Sequence, residues 1–176
     1  MAQKKKSLKV VLKKRRRQEC RTDYKARIAL LSSGIPRLVV RKSNLYITAQ
    51  IVKSKEAQDA VVCTASSREL VKYGWKGSKK NLPSSYLTCF LLGKKCKDKV
   101  RKAILDIGLH RSTKGSKIYA CLKGALDAGL EIPHAGEMIP SENRLRGEHI
   151  NKEMGKQFDD VKKKISESDI QIKSKN

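Results

Sequence analysis

The residues best suited to chemistry form one short run: His110-Arg111-Ser112-Thr113-Lys114-Gly115, then Ser116 and Lys117. Before it, Ala103-Ile104-Leu105-Asp106-Ile107-Gly108-Leu109 is apolar and β-like. After it, Ser116 opens a helical pattern in which Ile118, Leu122 and Ala125 share a face and Gly129 is placed to end it. The first N–H groups of a helix are unpaired and its dipole favours negative charge, so this arrangement predicts an anion site at Arg111, Lys114 and the N–H groups of Gly115 to Lys117. A plain strand-to-helix connection without a ligand has the same pattern. A nucleotide loop does not: the P-loop places its Lys after the second Gly, whereas Lys114 precedes Gly115. That excludes ATP and GTP and leaves phosphate in polymer form.

Other chemistry finds less support. Metal-dependent phosphoryl transfer needs clustered carboxylates, but Asp106 has no acidic neighbour in sequence and Asp127 falls late in a helix. A nuclease remains an alternative only if distant acids converge. The histidines His110, His134 and His149 have no ligand spacing. The five cysteines (Cys20, Cys63, Cys89, Cys96, Cys121) are scattered, with no Cys-x-x-Cys. Cys63, Cys89 and Cys121 lie in apolar patterns, as reduced thiols do. The expectation is a reducing compartment, no disulfide, no metal and no cofactor.

Charge sets the partner class. Of 176 residues, 41 are Lys or Arg and 17 are Asp or Glu, a net charge of +24. Like charges oppose a compact state, so a polyanionic partner accounts for the excess. No apolar run reaches the roughly 18 residues of a membrane span. Lys4-Lys5-Lys6 leads into no apolar stretch, so no signal peptide is expected. Aromatic residues are 5% of the chain. That favours recognition of backbone and shape over a base-stacking platform.

The elements that must position these groups follow in order. Residues 1–22 form a basic arm that includes Lys13, Lys14, Arg15, Arg16, Arg17 and Arg21, expected to be disordered when free. A solubilising tail or a localisation signal would have the same composition. Asp23 or Thr22 caps a helix over 24–31, with Arg27 one turn from Tyr24 and Ile28 and Leu31 on an apolar face. Arg37 to Arg41 alternates, Leu38 and Val40 against Arg37, Val39 and Arg41. After a turn at Lys42-Ser43-Asn44, Leu45 to Val52 alternates again, with Leu45, Ile47, Ala49 and Ile51 inward and Tyr46, Thr48 and Gln50 outward. A turn over 54–59 leads to a third strand over 60–65. The three strands predict an antiparallel meander with one polar face. Ser66 and Glu69 fit a capping box for a short helix ending at Gly74. A basic loop with Trp75, Lys79 and Lys80 precedes the longest core helix, over 82–97, opened by Asn81 and Pro83. The fourth strand starts near Ala103. Ile150, Met154, Phe158, Val161 and Ile165 recur at helical spacing, predicting an amphipathic helix that docks on the body or a partner, or else a marginal free helix. Disorder is expected over 167–176. The fold class is therefore α/β: a mixed sheet built on an antiparallel meander with a fourth strand, packed by helices. The expected domains are a basic arm (1–22), an α/β domain (23–150) and a charged tail (151–176).

Several strings point to one family. They are Arg21-Thr22-Asp23-Tyr24, Pro36-Arg37-Leu38-Val39-Val40-Arg41-Lys42-Ser43-Asn44, Ala49-Gln50-Ile51-Val52, Tyr73-Gly74-Trp75-Lys76-Gly77 and Asn81-Leu82-Pro83-Ser84-Ser85-Tyr86-Leu87. Further on come Ile104-Leu105-Asp106-Ile107-Gly108-Leu109, Gly124-Ala125-Leu126-Asp127-Ala128-Gly129-Leu130 and Arg146-Gly147-Glu148-His149-Ile150. In this order they resemble the large-subunit ribosomal protein eighteen family, in its archaeal form, from about Arg15 to Ile150. An archaeal source, without the long C-terminal part of the cytosolic eukaryotic homologue, is the expectation, and the segment after Met154 departs from the family pattern.

The resemblance implies a structural, non-enzymatic protein of the large ribosomal subunit in the cytoplasm. It implies binding of 5S rRNA and its attachment to large-subunit rRNA in the central protuberance. Neighbouring large-subunit proteins, ribosomal protein five among them, are the implied protein partners. Neither a membrane nor a small-molecule substrate is implied. The implied RNA-contacting positions are Lys13, Lys14, Arg15, Arg16, Arg17, Arg21, Tyr24 and Arg27 in the arm and first helix. On the sheet face and in the loops they are Arg37, Arg41, Tyr46, Gln50, Lys79, Lys80, Arg111, Lys114, Gly115, Ser116 and Lys117. A DNA-binding architectural protein outside the ribosome is the alternative of a different class.

Overall fold

A computed structural model describes residues 15–56 and 58–173. Lys13 and Lys14, with the rest of the arm's first fourteen residues, lie outside the described residues. The arm's end is not featureless: Arg15–Gln18 forms one helical turn, α1. Arg16 Nε donates to Thr22 Oγ1 at 2.8 Å across the following bend.

Helix α2 spans Tyr24–Ser32, and Asp23 caps it by accepting from the N–H groups of Lys25 and Ala26. A cap of this kind stabilises by about 1 kcal/mol. The expected apolar face is corrected here. No residue of α2 is fully buried, and Ile28 is 65% exposed. Tyr24, Arg27, Leu30 and Leu31 are the half-buried positions instead.

Strands β1 (Arg37–Lys42), β2 (Ile47–Lys55) and β3 (Gln58–Ser66) form the antiparallel meander. β4 (Ile104–Asp106) pairs in parallel with β1, giving the order β3-β2-β1-β4. Alternation places Leu38, Val40, Ile47, Ala49 and Ile51 in the core. Leu45 does not join them. It is 67% exposed because the chain is still turning there, with Ser43 Oγ accepting from the N–H groups of Leu45 and Tyr46. The turn expected over 54–59 is shorter than expected: Ser54 and Lys55 complete β2, and Gln58 and Asp59 open β3.

Helix α3 (Leu82–Cys96) is the centre of the molecule and is buried on nearly every side. Asn81 caps it by accepting from Ser84 N–H at 2.9 Å. It lies on the β2–β3 part of the sheet and packs closely against α4 (Lys117–Asp127). Glycine makes that approach possible: a Cβ on Gly124 would lie 2.2 Å from the Tyr86 carbonyl oxygen, and one on Gly93 would lie 2.5 Å from Ala128 Cβ. The box at Ser66 is realised in part, with Glu69 accepting from Ser66 N–H ahead of a 3₁₀ turn, Glu69–Tyr73. Trp75 is buried and donates from Nε1 to the Ser78 carbonyl at 3.2 Å, so it pins the loop into α3.

After the short α5 (Glu142–Arg146), helix α6 runs over Lys152–Lys173. Phe158, Val161 and Ile165 bury against α3, and the Phe158 ring meets that of Tyr86 at 5.1 Å. The amphipathic helix therefore docks on the body, and it continues past residue 167, where disorder was expected. Ile150 precedes it and is exposed.

Candidate nucleic-acid interface

The strand directions bring several chain segments to one end of the sheet. β1 and β4 both end there, β2 begins there and β3 ends there. Because α3 follows β3 and α4 follows β4, both helices also start at this end. In open sheets, ligands bind beyond the carboxyl ends of parallel strands, near helix N-termini. Arg41, Lys42, Tyr46, Arg68, Lys79, Lys80, His110 and Lys117 all stand at or near this end.

Two kinds of cation occur in this part of the fold. The first kind is committed to carboxylates. Val39 pairs with Asp106, so Asp106 shares the face of Arg37 and Arg41. Arg37 donates from Nη1 to Asp106 Oδ2 at 2.7 Å and from Nη2 to Asp59 Oδ1 at 2.8 Å, and it is 3% exposed. Arg27 donates to the other oxygen of Asp59 at 2.9 Å, which ties α2 to the sheet. Arg41 donates to Asp106 Oδ1 at 2.9 Å and to the Asp106 carbonyl at 2.8 Å. Gly108 makes room for it: a Cβ there would lie 2.9 Å from Arg41 Cζ. Burial pushes the Asp59 carboxyl up. The hydrogen bonds from Ser54, Arg27 and Arg37 outweigh that and hold it below its ordinary value.

This network corrects the sequence expectation for Arg37, whose guanidinium is enclosed and turned to two acids. The same pairs bear on the nuclease alternative. Asp59 and Asp106 do converge, but both oxygens of each are engaged by arginine. Their separation in sequence hid the arrangement.

The second kind of cation has no carboxylate. Among the described residues, Lys42, Lys80 and Lys117 make no ion pair. The Lys117 ammonium is held below its ordinary pKa by partial burial first, then by the charges of Lys80 and Lys42. The His110 imidazolium is likewise disfavoured, by burial first and then by Lys42 and Arg41. Beside this rim the Arg68 guanidinium lies 3.9 Å from the Tyr46 ring centroid, with Lys79 Nζ at 5.8 Å. The Tyr46 ring is therefore stacked on arginine, while Gln50 is half-buried on the same sheet face. Lys42 and Arg68 were missed from sequence. Lys42 reads there as part of a turn, and Arg68 as the interior of a capping box.

The loop after β4 is more self-sufficient than its composition suggests. Lys114 pairs with Glu137 at 3.1 Å. The N–H of Gly115 donates to the Met138 carbonyl at 3.0 Å and that of Ser116 to the Thr113 carbonyl at 3.2 Å. Neither N–H is free for a phosphate, and Arg111 is exposed. Ser116 stands at the cap position of α4 without capping it, and its hydroxyl oxygen is buried without a partner among the described residues.

A groove of about 1260 Å³ separates α2 from the β4 side of the sheet. Arg16, Arg21, Tyr24, Arg27, Arg41 and His110 line it together with Leu105 and Leu109. Arg15 and Arg21 both pair with Glu19 nearby, and Arg17 is exposed. Among the described residues no group of acids, cysteines and histidines is arranged to hold a metal ion.

Residues 9–103 and 96–135 match the model of a family described as ribosomal large subunit proteins 60S L5 and 50S L18. The chain is 53% identical over 140 residues to large ribosomal subunit protein uL18 of Korarchaeum cryptofilum, covering 79% of this chain and 72% of that one. It is 54% identical over 137 residues to the protein of the same name from Methanococcus maripaludis, covering 77% and 71%. With both a family model over most of its length and relatives above half identity, the chain belongs to the ribosomal large subunit protein family of 60S L5 and 50S L18.

Proposed function

We propose that this protein binds 5S rRNA and seats it against large-subunit rRNA in the central protuberance. Membership of the family makes it a structural component of the large ribosomal subunit, working with ribosomal RNA in the cytoplasm. The finer assignment rests on the rim of lysines without carboxylate partners at the sheet end where α3 and α4 begin. RNA affinity comes mainly from cations that neutralise phosphates. A-form RNA hides its major groove, so backbone shape and 2′-OH groups are what such a rim can read. Arg16, Arg21 and Tyr24 extend the surface along the groove beneath α2, and Lys13 and Lys14 of the arm are proposed to add phosphate contacts. Ribosomal protein five is the proposed protein neighbour.

The test is competition for the protein between isolated 5S rRNA and duplex DNA of matched length at moderate salt. The expected result is preferential retention of 5S rRNA. Equal competition would instead favour a general architectural binder, and cleavage of RNA on adding magnesium would revive the nuclease reading.

A further inference from the structure

Resting on the RNA-binding reading above, the geometry points to one phosphate seat within that interface. Lys42, Lys80 and Lys117 together hold a single phosphodiester of the RNA backbone over the first turn of α4, beyond the loop that carries Lys114.

The three lysines come from three different elements. Lys42 is the last residue of β1, Lys80 precedes the Asn81 cap of α3, and Lys117 is the first residue of α4. Each is therefore held at the end of a packed element. Cys121 of α4 donates to the Ser85 carbonyl of α3 at 3.1 Å, so the two helices start side by side, and Lys79, next to Lys80, reaches to 5.8 Å from the Tyr46 ring just beyond the end of β1; Lys80 and Lys42 accordingly lower the proton affinity of the partly buried Lys117. Three like charges gathered with no carboxylate between them are unfavourable in the free chain, and an anion placed among them reverses the sign of that interaction.

The neighbouring groups suit an anion as well. The first turn of α4 has no acidic residue and no side-chain cap. The Ser116 hydroxyl beside it has no hydrogen-bond partner among the described residues and is a donor in want of an acceptor. The Lys114 loop offers none of this, since its ammonium and two of its N–H groups are already satisfied within the chain. A phosphodiester and a free polyphosphate share the chemistry the seat recognises. The RNA backbone is the assigned source, because the remaining cations of the sheet end continue the track on either side.

Two measurements on the full chain test this. The first is acylation of lysines by an amine reagent near pH 8, read by mass spectrometry. Stoichiometric 5S rRNA should protect all three, and tripolyphosphate at equal phosphate concentration should not. Equal protection by tripolyphosphate would overturn the backbone assignment.

The second is phosphate-ethylation interference on 5S rRNA, with the parent and with two triple variants checked for folding by circular dichroism. Replacing Lys42, Lys80 and Lys117 with Gln should weaken binding by about tenfold or more and lower the salt slope by about one unit per lysine. One phosphate whose ethylation blocks the parent should become indifferent. Replacing Lys55, Lys97 and Lys99, exposed at the other end of the sheet, should leave the interference pattern unchanged. Equal losses in both variants, or an unaltered pattern in the first, would overturn the seat while the parent still selects 5S rRNA. A parent that does not select 5S rRNA overturns the functional reading itself.

Discussion

Arg27, Arg37 and Arg41 on one side and Lys42, Lys80 and Lys117 on the other are cations of the same part of the fold. Each arginine meets Asp59 or Asp106, whereas the lysines meet no carboxylate among the described residues. The difference follows from side-chain chemistry. A planar guanidinium with five donors can join two carboxylates and a strand. Arg37 does so, linking β4, β3 and the end of β2 through Asp106, Asp59 and Ser54. An ammonium is a compact, strongly hydrated charge that serves well at a rim where a phosphate arrives. In a chain of net charge +24, Asp59 and Asp106 are taken up by arginines that hold the fold, which leaves Lys42, Lys80 and Lys117 for the ligand. Helix α6 sharpens the contrast. It carries six lysines against five acids, so it is nearly neutral, and its apolar stripe covers α3.

The largest expected effect that separates the two groups is on stability. Arg37→Ala leaves Asp106 buried without its main partner, and removal of one member of a buried pair costs about 3 kcal/mol or more. Urea denaturation should show that loss, and a midpoint equal to the parent's would break the comparison. Next comes Lys80→Ala, which should weaken 5S rRNA binding by about fivefold, or about 1 kcal/mol. Its unfolding free energy should stay within about 0.5 kcal/mol of the parent's.

A smaller effect is expected from pH. The Asp59 carboxyl titrates below its ordinary value in the folded state. It therefore contributes stability above about pH 4, and that contribution is lost as pH falls through the folded value. Asp59→Asn should flatten the acid limb of a stability-versus-pH curve, and an unchanged limb would show that the network does not depend on Asp59 ionisation. The smallest effect is that of Lys114→Ala. Lys114 is already paired with Glu137 in an exposed bridge, and such bridges contribute about 0–1 kcal/mol. Less than a twofold change in RNA binding is expected in a filter-binding titration, and a loss as large as that of Lys80→Ala would return the phosphate site to the loop.

These regions were not equally legible in the sequence. Periodicity carried the elements well. The alternation from Leu38 to Ile51 and the stripe Phe158, Val161 and Ile165 appear in the core as their spacing implies. It misled where a pattern ran past its element, as at Leu45, or where a helix had no second layer to bury against, as at Ile28. The interface was harder to read because the role of a cation depends on partners distant in sequence. Arg37 and Asp106 are 69 positions apart, and nothing local marks either as the other's partner. Lys80 and Lys117 came from the family resemblance, but Lys42 is drawn to them only by strand direction. The Gly-Lys loop looked open because composition does not reveal that Met138 and Thr113 take its N–H groups.

The central claim is that Arg27, Arg37 and Arg41 bind carboxylates and Lys42, Lys80 and Lys117 bind phosphate. The most direct test is the salt dependence of 5S rRNA binding by two folded variants, Arg37→Gln and Lys80→Gln, each removing one positive charge. The slope of log K against log salt counts phosphates neutralised. The account predicts a parent-like slope for Arg37→Gln and a slope shallower by about one unit for Lys80→Gln. A unit lost on replacing Arg37, with none lost on replacing Lys80, would contradict it.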